Sequence, residues 1–261
     1  MKQKGIFAGV LAASLLLTAC GTNEDNAVEV EEDTTSIPAV VNDAGAIVVE
    51  NGVVIEPVHN HDSDAVRVDM FMEPLCPACQ AVEQEIAETI QDLNEEGDIV
   101  LYSTPVSFMD SAAPEGYSSQ AVSSMYGVAE HAPEQYLDYV EALYSDEYFP
   151  SPENTIEPTP EHFIEVATSV GIDESAADQA VSVDYTQYAL EMTEHIDNNR
   201  PEINRSPDGV DQPGISTPTI TVGGEFTEEG QLDGHTRVVF SGEDLNKEFM
   251  EALQPYLDDV E

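Results

Sequence analysis

Residues 66–79 read VRVDMFMEPLCPAC and carry the clearest structural signal in the chain. Its first seven residues are β-branched or apolar except for Arg67 and Asp69, a pattern typical of a strand that is buried in a sheet. Beyond the second cysteine, apolar residues recur at helical spacing, at Val82, Ile86, Ile90 and Leu93. The stretch therefore predicts a strand that runs into a helix, with both cysteines at the N-terminus of that helix.

A second strand follows this helix. Gly97 stands where a helix C-cap is expected, and residues 99–102 form a short apolar run. Strand, helix and strand in this order form a βαβ unit, whose two strands are parallel. Upstream, the Asn51-Gly52 pair between the apolar runs 47–49 and 53–55 predicts a tight hairpin.

The rest of the chain divides into a helical block and a return to strands. Helical patterns fall at 122–126, 136–144, 163–170 and 185–196. Strand-like runs return at 219–222 and 238–240, separated by the turn signal Gly223-Gly224. A last amphipathic helix covers about 243–257. The predicted fold class is therefore α/β, with a mixed sheet interrupted by a helical insertion.

The N-terminus carries the features of an export signal. Lys2 and Lys4 precede an apolar stretch at 6–17 that is too short to cross a bilayer, and the chain then reads Leu-Thr-Ala-Cys at 17–20. This tetrapeptide resembles the bacterial lipoprotein box, which implies that the signal peptide 1–19 is removed and that Cys20 is lipidated. An ordinary signal peptide with a chance cysteine is the alternative. The resemblance implies a lipid-anchored protein on the extracytoplasmic side of the cell membrane.

Residues 20–45 are polar and acidic and show little periodicity. Such a segment buries too little apolar area to offset the entropy of ordering it, so it is interpreted as a flexible tether. The remaining 46–261 are enough for one globular domain with a real core.

The chain is strongly acidic, with 53 Asp and Glu against 7 Lys and Arg and a formal net charge of −46. A surface of this charge repels phosphate backbones, which excludes nucleic acid as a partner. The acidic residues are spread along the whole chain, which fits adaptation to salty surroundings. A strongly acidic protein from an ordinary environment fits equally well.

The remaining cysteines point to redox chemistry. If Cys20 carries lipid, Cys76 and Cys79 are the only thiols of the mature chain, and one close pair in an exported protein indicates a redox centre rather than a disulfide framework. Unpaired N–H groups at a helix N-terminus stabilise a thiolate, so Cys76 is the expected nucleophile and Cys79 the resolving thiol. Pro77 suits the first helical position, where no N–H is needed.

Metal binding is the alternative use of these residue types. Cys76 and Cys79 have the spacing of half a zinc or copper site, but the sequence has no second ligand pair at matching spacing. The run His59-Asn60-His61-Asp62 is more simply a solvated turn than a metal site. We therefore expect neither a metal nor a cofactor.

The order of these elements resembles the DsbA-like branch of the thioredoxin superfamily. Cys76-Pro77-Ala78-Cys79 opens the first helix, and Ser216-Thr217-Pro218-Thr219 leads into a strand after the helical block. The resemblance covers about 46–261, with an insertion at about 111–200 between the βαβ unit and a C-terminal ββα unit. It implies that Thr217 supplies backbone hydrogen bonds to the substrate, and that Pro218 is cis and packs against the active-site disulfide.

The resemblance also implies an activity. It indicates a thiol–disulfide oxidoreductase that acts on cysteines of exported proteins, with a redox partner in the membrane. Oxidation of client thiols is only slightly preferred here over reduction or isomerisation, because the direction depends on the redox potential of the pair relative to its partner. Pro77 and Ala78 belong to its active-site loop. The alternative is a metal-handling or protein-binding module that keeps the fold without redox turnover.

The sequence departs from the family pattern in three places. The Pro77-Ala78 dipeptide lacks the histidine that many oxidising relatives carry, and 198–214 form a longer approach to the second motif than the pattern has. Met70 stands six residues before Cys76, where thioredoxins place a buried acid. Because alternation puts Asp69 on the opposite face of the strand, Glu73 is the expected proton acceptor near the cysteines.

Overall fold

A computed structural model of the chain describes residues 36–61, 63–199, 216–226 and 232–260. The predictions for the signal peptide, for Cys20 and for most of 198–214 lie outside the described residues. Residues 36–45, which the sequence assigned to the tether, are packed against the domain. The Asn42 side chain accepts hydrogen bonds from the N–H groups of Ala44 and Ala46 and donates one to the carbonyl of Val58. These contacts hold Asn42, upstream of residue 46, against the rest of the chain.

The predicted hairpin, strands and parallel pairing are present. Strands β1 (Ile47–Glu50) and β2 (Val53–Val54) flank the Asn51-Gly52 turn, and β3 (Val66–Met72) pairs in parallel with β4 (Ile99–Pro105). Strand β5 (Thr219–Val222) pairs antiparallel with β3 on its other side. The main sheet has the order β2-β1-β4-β3-β5-β8, with β8 at Thr236–Arg237.

Strand β3 is buried along its whole length, because both neighbours pair with it and helices cover the sheet. Its two charged residues form an ion pair, and the Arg67 guanidinium also donates a hydrogen bond to the carbonyl of His59. The guanidinium of Arg67 donates two hydrogen bonds of 2.7 Å to the carboxylate of Asp69, and its central carbon lies 3.5 Å from the centre of the Tyr102 ring. Residues two apart in a strand point to the same face of the sheet, so Arg67 and Asp69 share one face of β3. The cysteines lie on the other side of the sheet.

Helix α1 (Pro77–Glu95) begins directly after the turn that follows β3. Cys76 is its N-cap residue, Pro77 occupies the first helical position, and Gly97 follows the C-cap with a φ of +81°. Val82, Ile86 and Ile90 are buried in the main core. Helix α7 (Leu245–Val260) packs beside α1 through Leu245, Phe249 and Leu253.

The insertion between β4 and β5 contains five helices in the part of the chain that the structure describes. They are α2 (Tyr117–His131), α3 (Tyr136–Leu143), α4 (Pro160–Ser169), α5 (Glu174–Ser182) and α6 (Thr186–Asn199). Sequence analysis missed α5, because its buried face consists of the small residues Ala177 and Ala180 and gives a weak periodic signal.

The strand predicted at 238–240 is displaced. Two short strands, β6 (Glu225–Phe226) and β7 (Leu232–Asp233), form a separate pair, and β8 ends at Arg237. The N–H of Val238 still bonds the carbonyl of Ile220 at 2.9 Å, but Val239 is 55% exposed and leaves the sheet. None of the helices in the described ranges has the length and apolar composition needed to cross a membrane.

Candidate active site

The two cysteines differ in exposure because of their places on α1. Cys76 is half-buried at the N-cap position, whereas Cys79 lies one turn further along the inner face and is 0% exposed. Both are free thiols in this structure. An outside sulfur atom can therefore reach Cys76 but not Cys79.

The two thiols also differ in acidity. A hydrogen bond from the thiol of Cys79 is the main cause that lowers the pKa of Cys76 to about 5, with smaller contributions from backbone N–H groups of Cys79 and Ala78. Burial opposes this change. Burial, followed by the neighbouring Cys76, raises the pKa of Cys79 well above its ordinary value. At neutral pH the accessible sulfur is a thiolate and the inaccessible one is a thiol.

The second motif faces the first. The Thr217–Pro218 peptide bond is cis, as expected, and the carbonyl oxygen of Thr217 lies 3.7 Å from Sγ of Cys76. Arg237 on β8 donates a hydrogen bond of 2.9 Å to the hydroxyl of Thr219, which donates in turn to the carbonyl of Ser216. These contacts hold the loop beside the nucleophile.

Glu73 is 0% exposed and its carboxylate joins three segments. It accepts hydrogen bonds from the N–H of Leu75 at 3.0 Å, the N–H of Met109 at 3.1 Å and the hydroxyl of Ser118. Its own N–H lies 3.5 Å from Sγ of Cys79. Burial raises the pKa of Glu73 to about 7, against the lowering effect of these hydrogen bonds. Its carboxyl group can therefore take up or release a proton near neutral pH.

The structure adds two residues that sequence analysis missed. Glu83 is a buried carboxylate on α1, and burial, followed by the charge of Glu141, raises its pKa to about 7. Tyr144 follows α3, is 0% exposed, and its hydroxyl has no hydrogen-bond partner among the described residues. A sequence signal existed for Glu83, since it stands four residues after Cys79 on the apolar stripe of α1.

An uncharged groove of about 480 Å³ borders the active-site turn. Its lining includes Leu75, Pro77, Met109, Pro114, Pro150 and Ile156. The groove lies between the turn that joins β3 to α1 and two loops of the insertion. It gives an apolar surface beside Cys76 in a chain whose net charge is −46.

The two histidines of the run at 59–62 contact separate carboxylate groups. His59 lies 3.3 Å from Asp43 and His61 lies 2.9 Å from Glu50, while Asp62 is outside the described residues. Within the described ranges, no three His, Cys, Asp or Glu side chains lie close enough to hold a metal ion.

Fold and site together define a thioredoxin-fold protein with a Cys-x-x-Cys centre. The thioredoxin family model matches residues 58–237, more than half of the chain, and the chain belongs to this family. No curated protein matches the chain by sequence.

Several solved structures share the fold. Oxidised DsbA of Mycobacterium tuberculosis has a TM-score of 0.56 at 22% identity, over 82% of this chain and 97% of that protein. MdbA, a thiol-disulfide oxidoreductase from Actinomyces oris, has a TM-score of 0.57 at 16% identity, over 84% of this chain and 89% of that one. BdbD from Bacillus subtilis has a TM-score of 0.52 at 19% identity, over 82% of this chain and 94% of that one. The fold is thus DsbA-like.

Proposed function

We propose that the protein is a thiol–disulfide oxidoreductase that exchanges disulfides with cysteines of exported proteins. The observation that carries this proposal is the asymmetry of the pair: Cys76 is accessible with a pKa of about 5, and Cys79 is 0% exposed with a raised pKa. A cysteine pair that binds a metal, or that serves only a structural role, does not require this difference in exposure and pKa. The DsbA of Mycobacterium tuberculosis and the MdbA of Actinomyces oris share this fold, and MdbA is a thiol-disulfide oxidoreductase. This similarity supports the same activity for the present chain.

The exchange takes two steps. In the reducing direction, the Cys76 thiolate attacks a client disulfide, a bond forms between Cys76 and one client sulfur, and the other client sulfur leaves as a thiolate. Cys79 then loses its proton and attacks Sγ of Cys76. The intramolecular disulfide forms, the first client sulfur leaves as a thiolate, and two electrons have passed to the client. Oxidation of a client dithiol is the same sequence in reverse.

Oxidation of clients is the proposed physiological direction. A thiolate stabilised by hydrogen bonds lowers the free energy of the reduced protein, and a more stable reduced form makes the disulfide a stronger oxidant. The lowered pKa of Cys76 supports this direction even without a histidine between the cysteines. A membrane redox partner would then reoxidise the pair.

Glu73 is the proposed proton acceptor for Cys79. Its backbone contacts the Cys79 sulfur, and its pKa of about 7 lets the carboxyl group exist in either form at neutral pH. Thr217 is proposed to offer its backbone to the client segment beside Cys76, with Pro218 packing on the pair. Pro77 and Ala78 are exposed on the turn that the client meets.

The proposed location is the extracytoplasmic face of the cell membrane, with Cys20 as the lipid attachment point. The basic and apolar N-terminal residues followed by Leu-Thr-Ala-Cys support this proposal. Radiolabelled palmitate incorporation into the whole chain, compared with a Cys20→Ala variant, tests it.

Trapping of mixed disulfides tests the activity. Cys79→Ser should accumulate covalent complexes between Cys76 and client proteins, and Cys76→Ser should form none, because only the accessible sulfur attacks. Non-reducing electrophoresis and mass spectrometry of the linked peptides give the readout. Stoichiometric zinc or copper on the pair, with no trapped client, would instead support the metal-handling alternative.

A further inference from the structure

The chain between Arg67 and Arg200 contains no lysine or arginine, yet it holds more than half of the 53 Asp and Glu residues. This stretch includes the active-site helix α1 and the five helices of the insertion. Elsewhere in the described ranges, Arg237 lies half-buried against the hydroxyl of Thr219, and Lys247 lies on α7. The surface that the stretch forms is therefore negative and has no lysine or arginine of its own.

The apolar groove opens on this surface, directly beside the nucleophile. Leu75 and Pro77, the chain neighbours of Cys76, both line it, and the rest of its lining comes from segments 109–114 and 150–156 of the insertion. None of residues 216–219 lines it. The groove of about 480 Å³ is therefore a second surface next to Cys76, separate from the loop that carries Thr217.

One wall of the groove is held in shape by Asn154. Its side-chain amide donates hydrogen bonds of 3.3, 2.8 and 3.2 Å to the carbonyls of residues 146, 147 and 149. The backbones of Ser151 and Asn154 exchange two further hydrogen bonds, of 3.0 and 3.1 Å. Gln84 of α1 donates to the carbonyl of Tyr144 at 3.0 Å and to the carboxylate of Asp146 at 3.1 Å. These contacts attach the wall to the active-site helix.

The other wall begins at Met109, whose N–H donates a hydrogen bond of 3.1 Å to the carboxylate of Glu73. The carboxylate of Asp110 accepts a hydrogen bond of 2.8 Å from the N–H of Ser119, and its carbonyl accepts one of 2.9 Å from the N–H of Gly116. This wall is thereby attached to the active-site turn and to the start of α2. Because the chain's own hydrogen bonds order both walls, binding in the groove costs little loop entropy.

The chemistry of the groove differs from that of its surroundings. Its lining has no charged side chain and is apolar apart from Ser151, Asn154 and Thr155. An apolar side chain that enters it leaves water without stranding a charge, whereas a charged side chain would lose its hydration. The groove therefore suits an apolar side chain.

Exposed carboxylates flank both walls. Glu115 directly follows the segment 109–114, Glu153 lies within the segment 150–156, and Glu157 directly follows that segment. Neither segment contains a lysine or an arginine that could neutralise them. A cation beside the groove is therefore attracted, and an anion is repelled.

We propose that the groove binds an apolar segment of the client that has lysine or arginine beside it, so that the protein selects basic clients for thiol exchange. This inference rests on the proposed function and names its substrate class. The groove contributes binding alone, and the bonds that form and break are those of the exchange described above. A second copy of this chain is a poor occupant, because its net charge of −46 is repelled by the same surface.

Peptides with one cysteine, carried as a disulfide with neutral thiopyridine, test the selection. Cys76 of the reduced protein attacks the peptide sulfur, and thiopyridine leaves as the coloured product that reports the first phase of thiol exchange. The three peptides contain an apolar segment with lysines, the same segment with glutamates, and a serine segment with lysines. Their second-order rate constants with the full chain are measured at about 0.05 M and about 1 M salt.

Two variants and two matched controls locate the effect. One variant combines Glu115→Gln, Glu153→Gln and Glu157→Gln. Its control changes three exposed residues outside the lining segments, Glu88→Gln, Glu96→Gln and Glu194→Gln. Met109→Ala removes an apolar side chain from the groove, and Leu190→Ala removes one from an exposed site on α6. Circular dichroism checks that each variant is folded.

We expect the apolar peptide with lysines to react at least about tenfold faster than the one with glutamates at low salt, because the carboxylates attract one and repel the other. At about 1 M salt the screening length falls to about 3 Å, and the ratio should shrink to about twofold or less. The triple variant at the groove should lower the low-salt ratio by at least about threefold. Met109→Ala should lower the preference for the apolar peptide over the serine peptide, and both controls should keep the ratios of the unmodified protein.

Equal rates for the lysine and glutamate peptides at low salt would overturn the proposal. An equal fall of the ratio in both triple variants would also overturn it, because the effect would then come from net charge rather than from the groove. So would an unchanged preference for the apolar peptide in Met109→Ala. Failure of the unmodified protein to release thiopyridine from any peptide would instead contradict the proposed function. The two failures are therefore distinguishable.

Discussion

Sγ of Cys76 lies 3.7 Å from the carbonyl oxygen of Thr217, although the two residues are 141 positions apart in the chain. The contact joins the N-terminus of α1 to the segment that enters β5. A sulfur atom bonded to Cys76 would therefore lie beside the backbone of this segment. The nucleophile and its neighbouring surface come from opposite sides of the helical insertion.

The first prediction concerns the source of the acidity of Cys76. Cys79→Ala should raise the pKa of Cys76 from about 5 towards its ordinary 9.0, because the hydrogen bond from Cys79 is the largest cause of the shift. Cys79→Ser keeps a donor and should raise it less. Iodoacetamide alkylation rates of the reduced variants across a pH series measure the pKa. An unchanged pKa of Cys76 in Cys79→Ala would contradict this prediction.

A second prediction follows from the buried Glu83. Its pKa is about 7 in the folded protein against an ordinary 4.5, so between these values the folded chain binds a proton that the unfolded chain releases. The contribution of Glu83 to the free energy of unfolding is therefore largest below about pH 4.5. It decreases as the pH rises to about 7 and stays constant at higher pH. Glu83→Gln should remove this decline and gain roughly 3 kcal/mol at high pH relative to low pH.

Urea unfolding at several pH values checks this prediction, with Glu88→Gln as the control for net charge. Glu73 gives a decline of the same sign and remains in both proteins, so the comparison isolates Glu83. Parallel stability profiles for Glu83→Gln and the unmodified protein would contradict it.

The Arg67–Asp69 ion pair in β3 leads to a prediction in which stability changes and thiol exchange does not. Asp69→Asn should destabilise the protein by about 3–5 kcal/mol, because it leaves the Arg67 guanidinium buried opposite a neutral side chain. Replacement of both residues by Met and Leu should recover most of this loss. The first phase of thiol exchange should persist in folded samples, since the pair lies on the other face of the strand from the cysteines. Loss of that phase at full folding would assign Asp69 to the active site.

Close packing of α2 against α5 gives the last prediction. Gly127→Ala in the interior of α2 should stabilise an isolated helix by about 0.5–1 kcal/mol. In this fold, an added Cβ would lie 1.7 Å from the carbonyl oxygen of Ala180, which the structure cannot accommodate without moving α5. Overpacking costs typically about 1–3 kcal/mol, so the net effect should be a lower melting temperature. A raised melting temperature would mean that α5 does not pack here.

Local sequence patterns are sufficient to predict one part of this protein. The β3–α1–β4 unit, the position of Cys76 at a helix N-terminus and the return to strand after Pro218 could all be predicted. In each case the information is periodicity or a capping signal within a few turns of chain. The resolving role expected for Cys79 agrees with its complete burial, because the spacing that places it one turn inwards is also local.

The meeting of distant buried groups depends on the tertiary fold. Helix α5 packs closely on Gly127 of α2, and residues upstream of 46 are held through the side chain of Asn42. The position of Glu83 on the apolar stripe of α1 is a local signal for its burial, but the raised pKa of its carboxyl group depends on the sheet and on α3, which enclose it. Burial and proton affinity arise from contacts between distant segments, and the pattern of any one segment does not contain them.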